Sequence, residues 1–133
     1  MARIVLVMHE PLGRALADCA THVLGRDPGL AVFDVVADEN PDAVVSRLMR
    51  TVVEHSDGEV LILSDIFGAT PFNIARKALA KAAEQGIRGN LVTGTNLCMV
   101  LKAITINESD PEKLSEIIRQ AAVRGIVDAA ALV

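Results

Sequence analysis

The feature that most constrains the fold is a regular alternation between short apolar runs and longer segments with helical periodicity. Four runs rich in β-branched residues have the character of strands, and five segments carry apolar residues at helical spacing. The predicted strands cover residues 3–8, 30–36, 60–63 and 90–92, and the predicted helices cover residues 13–24, 42–54, 71–84, 96–103 and 112–124. Because these runs are apolar on both faces, helices should cover both sides of a mostly parallel sheet. The chain is therefore predicted to form an α/β, doubly wound, three-layer domain with strand order 2-1-3-4.

Length and composition favour one globular domain. The chain has 133 residues, 51% of them hydrophobic and 23% charged, which is the composition of an ordinary folded protein. No run approaches the roughly 18 apolar residues of a membrane-spanning helix. The N-terminal apolar run is too short for a signal peptide. We therefore expect a single domain over residues 1–133 that acts in the cytoplasm.

Charge and cysteine content argue against two classes of function. The 13 basic and 17 acidic residues give a net charge of −4, and the chain has neither a basic run nor Trp or Tyr on which bases could stack. Nucleic acid is therefore not an expected partner. Cys19 and Cys98 lack the spacing of a redox or metal-binding pair. We expect both thiols to be buried, as small hydrophobic residues in a reducing compartment.

Two polar side chains follow strands that a 2-1-3-4 order places side by side. His9 is the first polar group after strand 1, and Asp65 holds the same place after strand 3. Sites in open α/β sheets form beyond the carboxyl ends of the strands, so these residues should face each other. A carboxylate bound to one imidazole nitrogen fixes the tautomer and leaves the other nitrogen free as a nucleophile or ligand. The pair predicts a reactive His9, although a strand that merely ends on polar residues gives the same pattern.

The segment after Asp65 is predicted to begin a helix with an anion site at its N-terminus. Gly68 permits a tight or left-handed backbone, Thr70 is a good N-cap, and Pro71 suits the first helical position. The unpaired N–H groups and the positive dipole end of such a helix attract anions, and the Thr70 hydroxyl adds a donor. Beside His9, the natural guest is a phosphoryl group.

A similar arrangement follows strand 4. In "LVTGTNLCM", residues 91–99, Gly94 is placed at the turn and either Thr95 or Asn96 caps the next helix. We expect this segment to form another wall of the site.

Three segments, taken in order, resemble the IIA component of the mannose/fructose/sorbose class of the bacterial sugar phosphotransferase system. "IVLVMHEPLGRAL" is similar to the N-terminal strand and active-site histidine of that family. "LILSDIFGATPFN" is similar to its Asp-x-x-Gly-Gly-Ser/Thr-Pro-x-Asn segment, and "VTGTNLCMVL" to its Gly-x-Asn-Leu-Pro-Met segment. The likeness covers about residues 2–105 in order and spacing.

The resemblance implies a phosphotransferase that works through a phosphohistidine. His9 would accept a phosphoryl group from the histidine phosphocarrier protein and donate it to a IIB component during sugar uptake. Asp65 would hydrogen-bond the histidine, and Gly68, Ala69 and Thr70 would lie around the phosphoryl group. The chain would need neither a cofactor nor a metal, and its association with a membrane sugar transporter would be indirect.

The resemblance also implies a homodimer. In relatives a C-terminal strand pairs across the subunit interface, and "GIVDAAAL", residues 125–132, is short and apolar enough for that role. Exchange of this strand between two copies would cover an edge of each sheet.

Three residues depart from the family pattern. Glu10 replaces the small residue that usually follows the histidine, and its charge would lower the stability of a phosphohistidine or alter the choice of partner. Ala69 replaces a usual glycine, which restricts the backbone there, and Cys98 replaces a usual proline. The sugar and the identity of the IIB partner cannot be predicted from the sequence.

Other functions remain open at this stage. The chain could be a regulatory phosphorylation sensor in a phosphotransferase system without a transporter, or a metal-binding module that uses His9, Glu10 and Asp65 as ligands. A response-regulator receiver also has an Asp after strand 3, but it needs clustered acidic residues after strand 1 to hold Mg²⁺. This chain has Met-His-Glu in that place, which argues against a receiver. The related dihydroxyacetone phosphotransferase subunit is expected to have a different segment in place of "DIFGATPFN".

Overall fold

Strands and helices alternate along the computed structural model, which describes residues 2–55 and 57–132. In chain order the elements are β1 (Arg3–His9), α1 (Leu12–Leu24), β2 (Ala31–Val35), α2 (Pro41–His55), β3 (Glu59–Ser64), α3 (Thr70–Ala83), β4 (Arg88–Val92), α4 (Leu97–Thr105) and α5 (Pro111–Arg124). Each predicted strand and helix is therefore confirmed, with ends that shift by at most two residues.

The four strands form one parallel sheet in the order β2-β1-β3-β4, as predicted. His9 pairs with Val35 of β2, and Val7 pairs with Ser64 of β3, so the carboxyl ends of β1, β2 and β3 lie together. The chain leaves β1 towards β2, on one side, and leaves β3 towards β4, on the other. This change of direction creates a crevice above β1 and β3 in which ligands commonly bind.

Helices cover both faces of the sheet, and each face has its own hydrophobic core. On β1, Leu6 and Met8 pack with α1, α4 and α5, whereas Val5 and Val7 pack with α2 and α3. Successive side chains of a strand point to opposite faces. His9 therefore continues the series of Val5 and Val7 and emerges on the side of α2 and α3.

The prediction that both cysteines are buried is wrong, because Cys19 and Cys98 are exposed. On α1, Ala17 and Ala20 are the buried positions, and Cys19 lies between them on the outward side. Cys98 lies in the first turn of α4, where its neighbour Met99 takes the buried position. The side of the helix on which each cysteine lies, rather than the apolar character of its thiol, decides whether it is buried.

The C-terminal segment adopts a different local structure in the single chain from the strand expected in a dimer. Ala129–Leu132 form an exposed 3₁₀ helix, and Ile126 before it is 75% exposed. Among the described strands, β4 has a neighbour only on its β3 side. Strand exchange between two copies stays a prediction.

Candidate functional site

His9 and Asp65 lie in contact at the carboxyl ends of β1 and β3. The Oδ2 atom of Asp65 accepts a hydrogen bond from the His9 backbone N–H at 2.9 Å and lies 2.7 Å from the ring nitrogen Nδ1. The other oxygen, Oδ1, accepts the backbone N–H of Ile66 at 2.9 Å. The expected contact between the two side chains is present, and one carboxylate fixes both the backbone and the ring of His9.

These three contacts keep the Asp65 carboxyl ionised. Its side chain is only 8% exposed, and this burial acts to raise its pKa. The hydrogen bonds from the backbone and ring of His9 and from the Ile66 N–H together outweigh burial and hold the pKa of Asp65 below its usual range. An ionised carboxylate is only an acceptor, so Nδ1 of a neutral His9 carries the proton and Nε2 keeps its lone pair. The His9 side chain is 47% exposed, so the reactive group of another protein can reach it.

A tight turn connects Asp65 to α3. Gly68 has φ +84°, in the left-handed region that glycine favours, as predicted. The Ala69 backbone N–H donates to the Ile66 carbonyl at 3.3 Å, and the side-chain amide of Asn73 donates to the Gly68 carbonyl at 3.3 Å. Ala69 itself has φ −80° and ψ 174°, a conformation open to any residue. Alanine therefore fits this turn, where the resemblance noted above implies a glycine.

The prediction that Thr70 caps α3 is wrong by one residue. Ala69 takes the N-cap position, Thr70 is already helical, and no side chain caps this end among the described residues. The Asn73 N–H bonds to the Ala69 carbonyl at 3.0 Å, which leaves the N–H groups of Thr70 and Phe72 without helical partners. Pro71 has no N–H to satisfy. The start of α3 therefore offers backbone donors and the Thr70 hydroxyl to an anion.

A cleft of about 570 Å³ opens beside His9. It is lined by the end of β1, the loop after β2 and the starts of α2 and α3, namely His9, Glu10, Val35, Val36, Ala37, Glu39, Pro41, Thr70 and Pro71. Two helix N-termini thus meet at one cleft, and both present the positive ends of their dipoles. Gly68 and Ala69 form the turn that leads to Thr70 and are not among the lining residues.

The loop between β4 and α4 supports the site from behind Asp65. The Gly94 N–H donates to the Asp65 carbonyl at 2.9 Å, and the Thr95 hydroxyl donates to the Ser64 carbonyl at 2.7 Å. Asn96 caps α4, because its side chain accepts the Met99 N–H at 2.9 Å. The segment that was expected to wall the site instead anchors the backbone that carries Asp65, and it does not line the His9 cleft.

Sequence reasoning missed Asp34, which fixes the other side of the His9 loop. Its two carboxylate oxygens accept the N–H groups of Gly13 at 2.8 Å and Arg14 at 3.0 Å. These donors are at the start of α1, where the described residues provide no other side-chain cap. Asp34 thus ties β2 to the helix that follows His9. The only signal in the sequence is a lone acidic residue inside an apolar strand.

The described residues offer no support for a metal site or a membrane span. Across residues 2–55 and 57–132, no three His, Cys, Asp or Glu side chains come close enough together to hold a metal ion. In the same ranges, every helix is too short or too polar to cross a bilayer. The metal-binding alternative therefore has no geometric basis in this part of the chain.

Comparison with protein families gives one match that spans nearly the whole chain. The family model described as "PTS system fructose IIA component", where PTS denotes the phosphotransferase system, matches residues 3–122. This range includes β1 to α4 and most of α5. It therefore contains His9, Asp65 and the turn between Asp65 and α3.

Several solved structures with a similar fold are described as components of the phosphotransferase system. A phosphotransferase system component EIIA from Streptococcus agalactiae has a TM-score of 0.85 at 24% identity, with 98% of this chain and 99% of that chain covered. The mannose/sorbose-specific IIA subunit from Enterococcus faecalis has a TM-score of 0.84 at 19% identity, with 95% and 92% covered. A PTS IIA protein associated with the fucose utilization operon of Streptococcus pneumoniae has a TM-score of 0.75 at 19% identity, with 99% and 98% covered. At these identities the likeness shows a common fold.

Proposed function

The chain belongs to the family of fructose and mannose IIA components of the sugar phosphotransferase system, and on this premise we propose that it is a phosphoryl carrier that works through His9. His9 accepts a phosphoryl group from the histidine phosphocarrier protein and donates it to a IIB component during sugar uptake. The exchange takes place in the cytoplasm, and the membrane transporter is reached only through the IIB partner.

The observation that carries this proposal is the 2.7 Å contact between His9 Nδ1 and Asp65 Oδ2. With Asp65 ionised, this contact favours the tautomer that has its proton on Nδ1, so that Nε2 has the lone pair that a nucleophile needs. Because Oδ2 also binds the His9 backbone N–H, the ring is held in one orientation before a partner arrives.

In the proposed transfer step, the bonds that form and break involve only His9, the donor histidine and the phosphoryl group. The Nε2 lone pair forms a bond to phosphorus, the bond from phosphorus to the donor's nitrogen breaks, and that nitrogen keeps the electron pair. The imidazole of His9 gains positive character as the new bond forms, and the ionised Asp65 stabilises that charge through the Nδ1–H bond. The reverse sequence delivers the phosphoryl group to the next protein.

The start of α3 is the natural support for the phosphoryl oxygens. The cleft beside His9 contains Thr70, whose hydroxyl and N–H are available as donors, and the dipole of α3 adds positive potential. Gly68 and Ala69 shape the turn that aims these donors at the cleft. We assign them this positioning role rather than direct contact with the phosphoryl group.

Phosphorylation by a reconstituted donor tests the proposal. We expect enzyme I, phosphoenolpyruvate and the histidine phosphocarrier protein to add one phosphoryl group to this chain, and peptide mapping to locate it on His9. The bond should be labile in acid, as a phosphoramidate is. The matched control is His22→Ala, which changes a histidine of α1. The proposal fails if His9→Ala accepts phosphoryl as well as the wild type, or if the wild type accepts none.

A further inference from the structure

Two of the residues that line the cleft beside His9, Glu10 and Glu39, carry carboxylates, and these differ in their surroundings. Glu39 is bound to Arg47 by a 2.7 Å ion pair, and the pKa of Glu39 is lowered mainly by that hydrogen bond. The Glu10 carboxylate has no hydrogen bond or ion pair with any of the residues that the structure describes. One of the two charges is therefore compensated and the other is not.

The backbone holds Glu10 in place at the cleft. Its N–H donates to the Val35 carbonyl at 3.1 Å, so the pairing of β1 with β2 continues one residue past His9. A few residues later the carboxylate of Asp34 binds the N–H of Gly13. The chain is thus fixed on both sides of Glu10, which directly follows His9 and is one of the residues that line the same cleft.

We propose that the Glu10 carboxylate sets the phosphoryl-transfer potential of His9 by disfavouring the phosphorylated state. The inference rests on the proposed function, because it concerns the phosphoryl group that His9 would carry. A phosphoryl group brings a charge of about −1.5 to −2. Placed beside an uncompensated carboxylate, it raises the free energy of the phosphorylated chain and favours onward transfer.

The expected effect follows from Coulomb's law. A dianion and a unit charge about 4–10 Å apart in water change an equilibrium constant by roughly 4- to 30-fold before screening. Since the Glu10 side chain is exposed, salt should reduce this factor, with a screening length of about 10 Å at 0.1 M. The salt dependence distinguishes an electrostatic effect from a change in packing.

An equilibrium measurement isolates this effect from docking. The chain is incubated with enzyme I, the histidine phosphocarrier protein and fixed ratios of phosphoenolpyruvate to pyruvate, and intact mass gives the phosphorylated fraction. Because the fraction at equilibrium does not depend on how fast the partners bind, a variant that only slows docking leaves it unchanged. We expect Glu10→Gln to raise the equilibrium constant for phosphorylation by roughly 4- to 30-fold at low salt, and Glu10→Asp to stay near wild type.

Two further variants sharpen the test. Glu84→Gln removes the same charge at the other end of α3, about 20 Å from Thr70 by helix rise, and should leave the constant within about twofold of wild type. Arg47→Gln leaves Glu39 uncompensated in the cleft and should move the constant in the opposite direction from Glu10→Gln.

The inference is overturned if Glu10→Gln changes the constant by less than about twofold, or no more than Glu84→Gln does. It is also overturned if the difference between Glu10→Gln and wild type is the same at low and high salt. In each of these cases the wild type is still phosphorylated, so the proposed function survives. A wild type that accepts no phosphoryl group would overturn the proposed function and this inference together.

Discussion

Replacing Asp65 with asparagine keeps the shape of the side chain but removes its charge and one acceptor. In the native site Oδ2 accepts two N–H groups of His9 and Oδ1 accepts the N–H of Ile66. Asparagine has a single acceptor oxygen. In one orientation its amide N–H₂ faces the Ile66 N–H, and in the other it faces the His9 N–H. Either orientation sets a donor against a donor.

Both orientations should slow phosphoryl transfer. If the amide group faces the ring, it donates to Nδ1, and the ring proton moves to Nε2, where it blocks the nucleophilic lone pair. If the oxygen faces the ring, the tautomer survives but the charge that stabilises the imidazolium is lost. Groups of this kind contribute roughly 10²–10⁴-fold to a rate. The unsatisfied donor in a nearly buried site should also lower the free energy of unfolding by about 1–3 kcal/mol.

Rapid mixing with phosphorylated histidine phosphocarrier protein measures this effect in a single turnover. The reaction is quenched at alkaline pH, and intact mass gives the phosphorylated fraction at each time. Asp18→Asn is the matched control, because it makes the same change on a side chain that is 70% exposed on α1. Circular dichroism checks that each variant is folded. A transfer rate for Asp65→Asn within threefold of wild type, or an equal loss in Asp18→Asn, would refute the reasoning.

Three more predictions follow from the described contacts. Because the pKa of folded Asp65 is lowered, its stabilisation is complete above the unfolded pKa of about 3.9 and is lost as the pH falls through the folded value. Urea titrations of wild type and Asp65→Asn should therefore differ at neutral pH, and the difference should shrink as the pH falls below about 3.9; divergence on acidification would contradict this. Gly13→Ala should lower the free energy of unfolding by about 1–3 kcal/mol, since its methyl group would meet the Asp34 carboxylate and a Val32 methyl at 2.9 Å; an unchanged urea midpoint would exclude that crowding. If residues 125–132 exchange between copies, truncation after Arg124 should convert a dimer into a monomer. Light scattering at micromolar concentration tests this, and either a monomeric wild type or a dimeric truncated chain would count against exchange.

The order of elements was predictable because the sheet is buried on both faces. Val5, Leu6 and Val7 are all fully buried, so β1 has no polar alternation, and its continuous apolar run is evident in the sequence. The start of β4 was harder to place. Gly89 has no strand-forming side chain. Glycine is nevertheless required at this strand position, because a Cβ there would lie 2.9 Å from Val60 and 2.5 Å from Leu79. A glycine selected for close packing carries no periodic signal.

The central pair of the site was predictable, and its support was not. His9 and Asp65 follow strands that the topology makes neighbours, so local pattern and fold point to the same contact. Asp34 and Thr95 act on backbone groups far away in sequence, at Gly13 and Ser64, and neither spacing nor residue type indicates such a partner. Long-range contacts between a side chain and the backbone become visible only when the chain is folded.

Thr70 shows why the boundary of a helix is hard to place even with good capping residues nearby. Threonine before proline is a strong N-cap signal, but proline is tolerated at the second helical position as well as the first, because neither N–H has a helical partner. The backbone of Ala69 is extended, with ψ 174°, and this conformation places the cap one residue earlier. The shift matters for chemistry, because a capping hydroxyl would be occupied by its own helix. In the helical position Thr70 can direct its hydroxyl to the cleft instead.

The exposure of His9 is consistent with a carrier whose partners exclude water from the site when they dock. If His9 carries the phosphoryl group as proposed, a second protein must bring its own nucleophile into line with the phosphorus–nitrogen bond, and a buried His9 would prevent that approach. In the proposed function, the groups that would favour transfer are the Asp65 carboxylate and the start of α3. Both are already in place in the free chain, so docking need not rearrange them. Docking would add the exclusion of water, which strengthens each of these electrostatic contacts by lowering the local dielectric. In the proposed function, the free chain would thus orient the reacting groups, and the complex would exclude the water that weakens their electrostatic contacts.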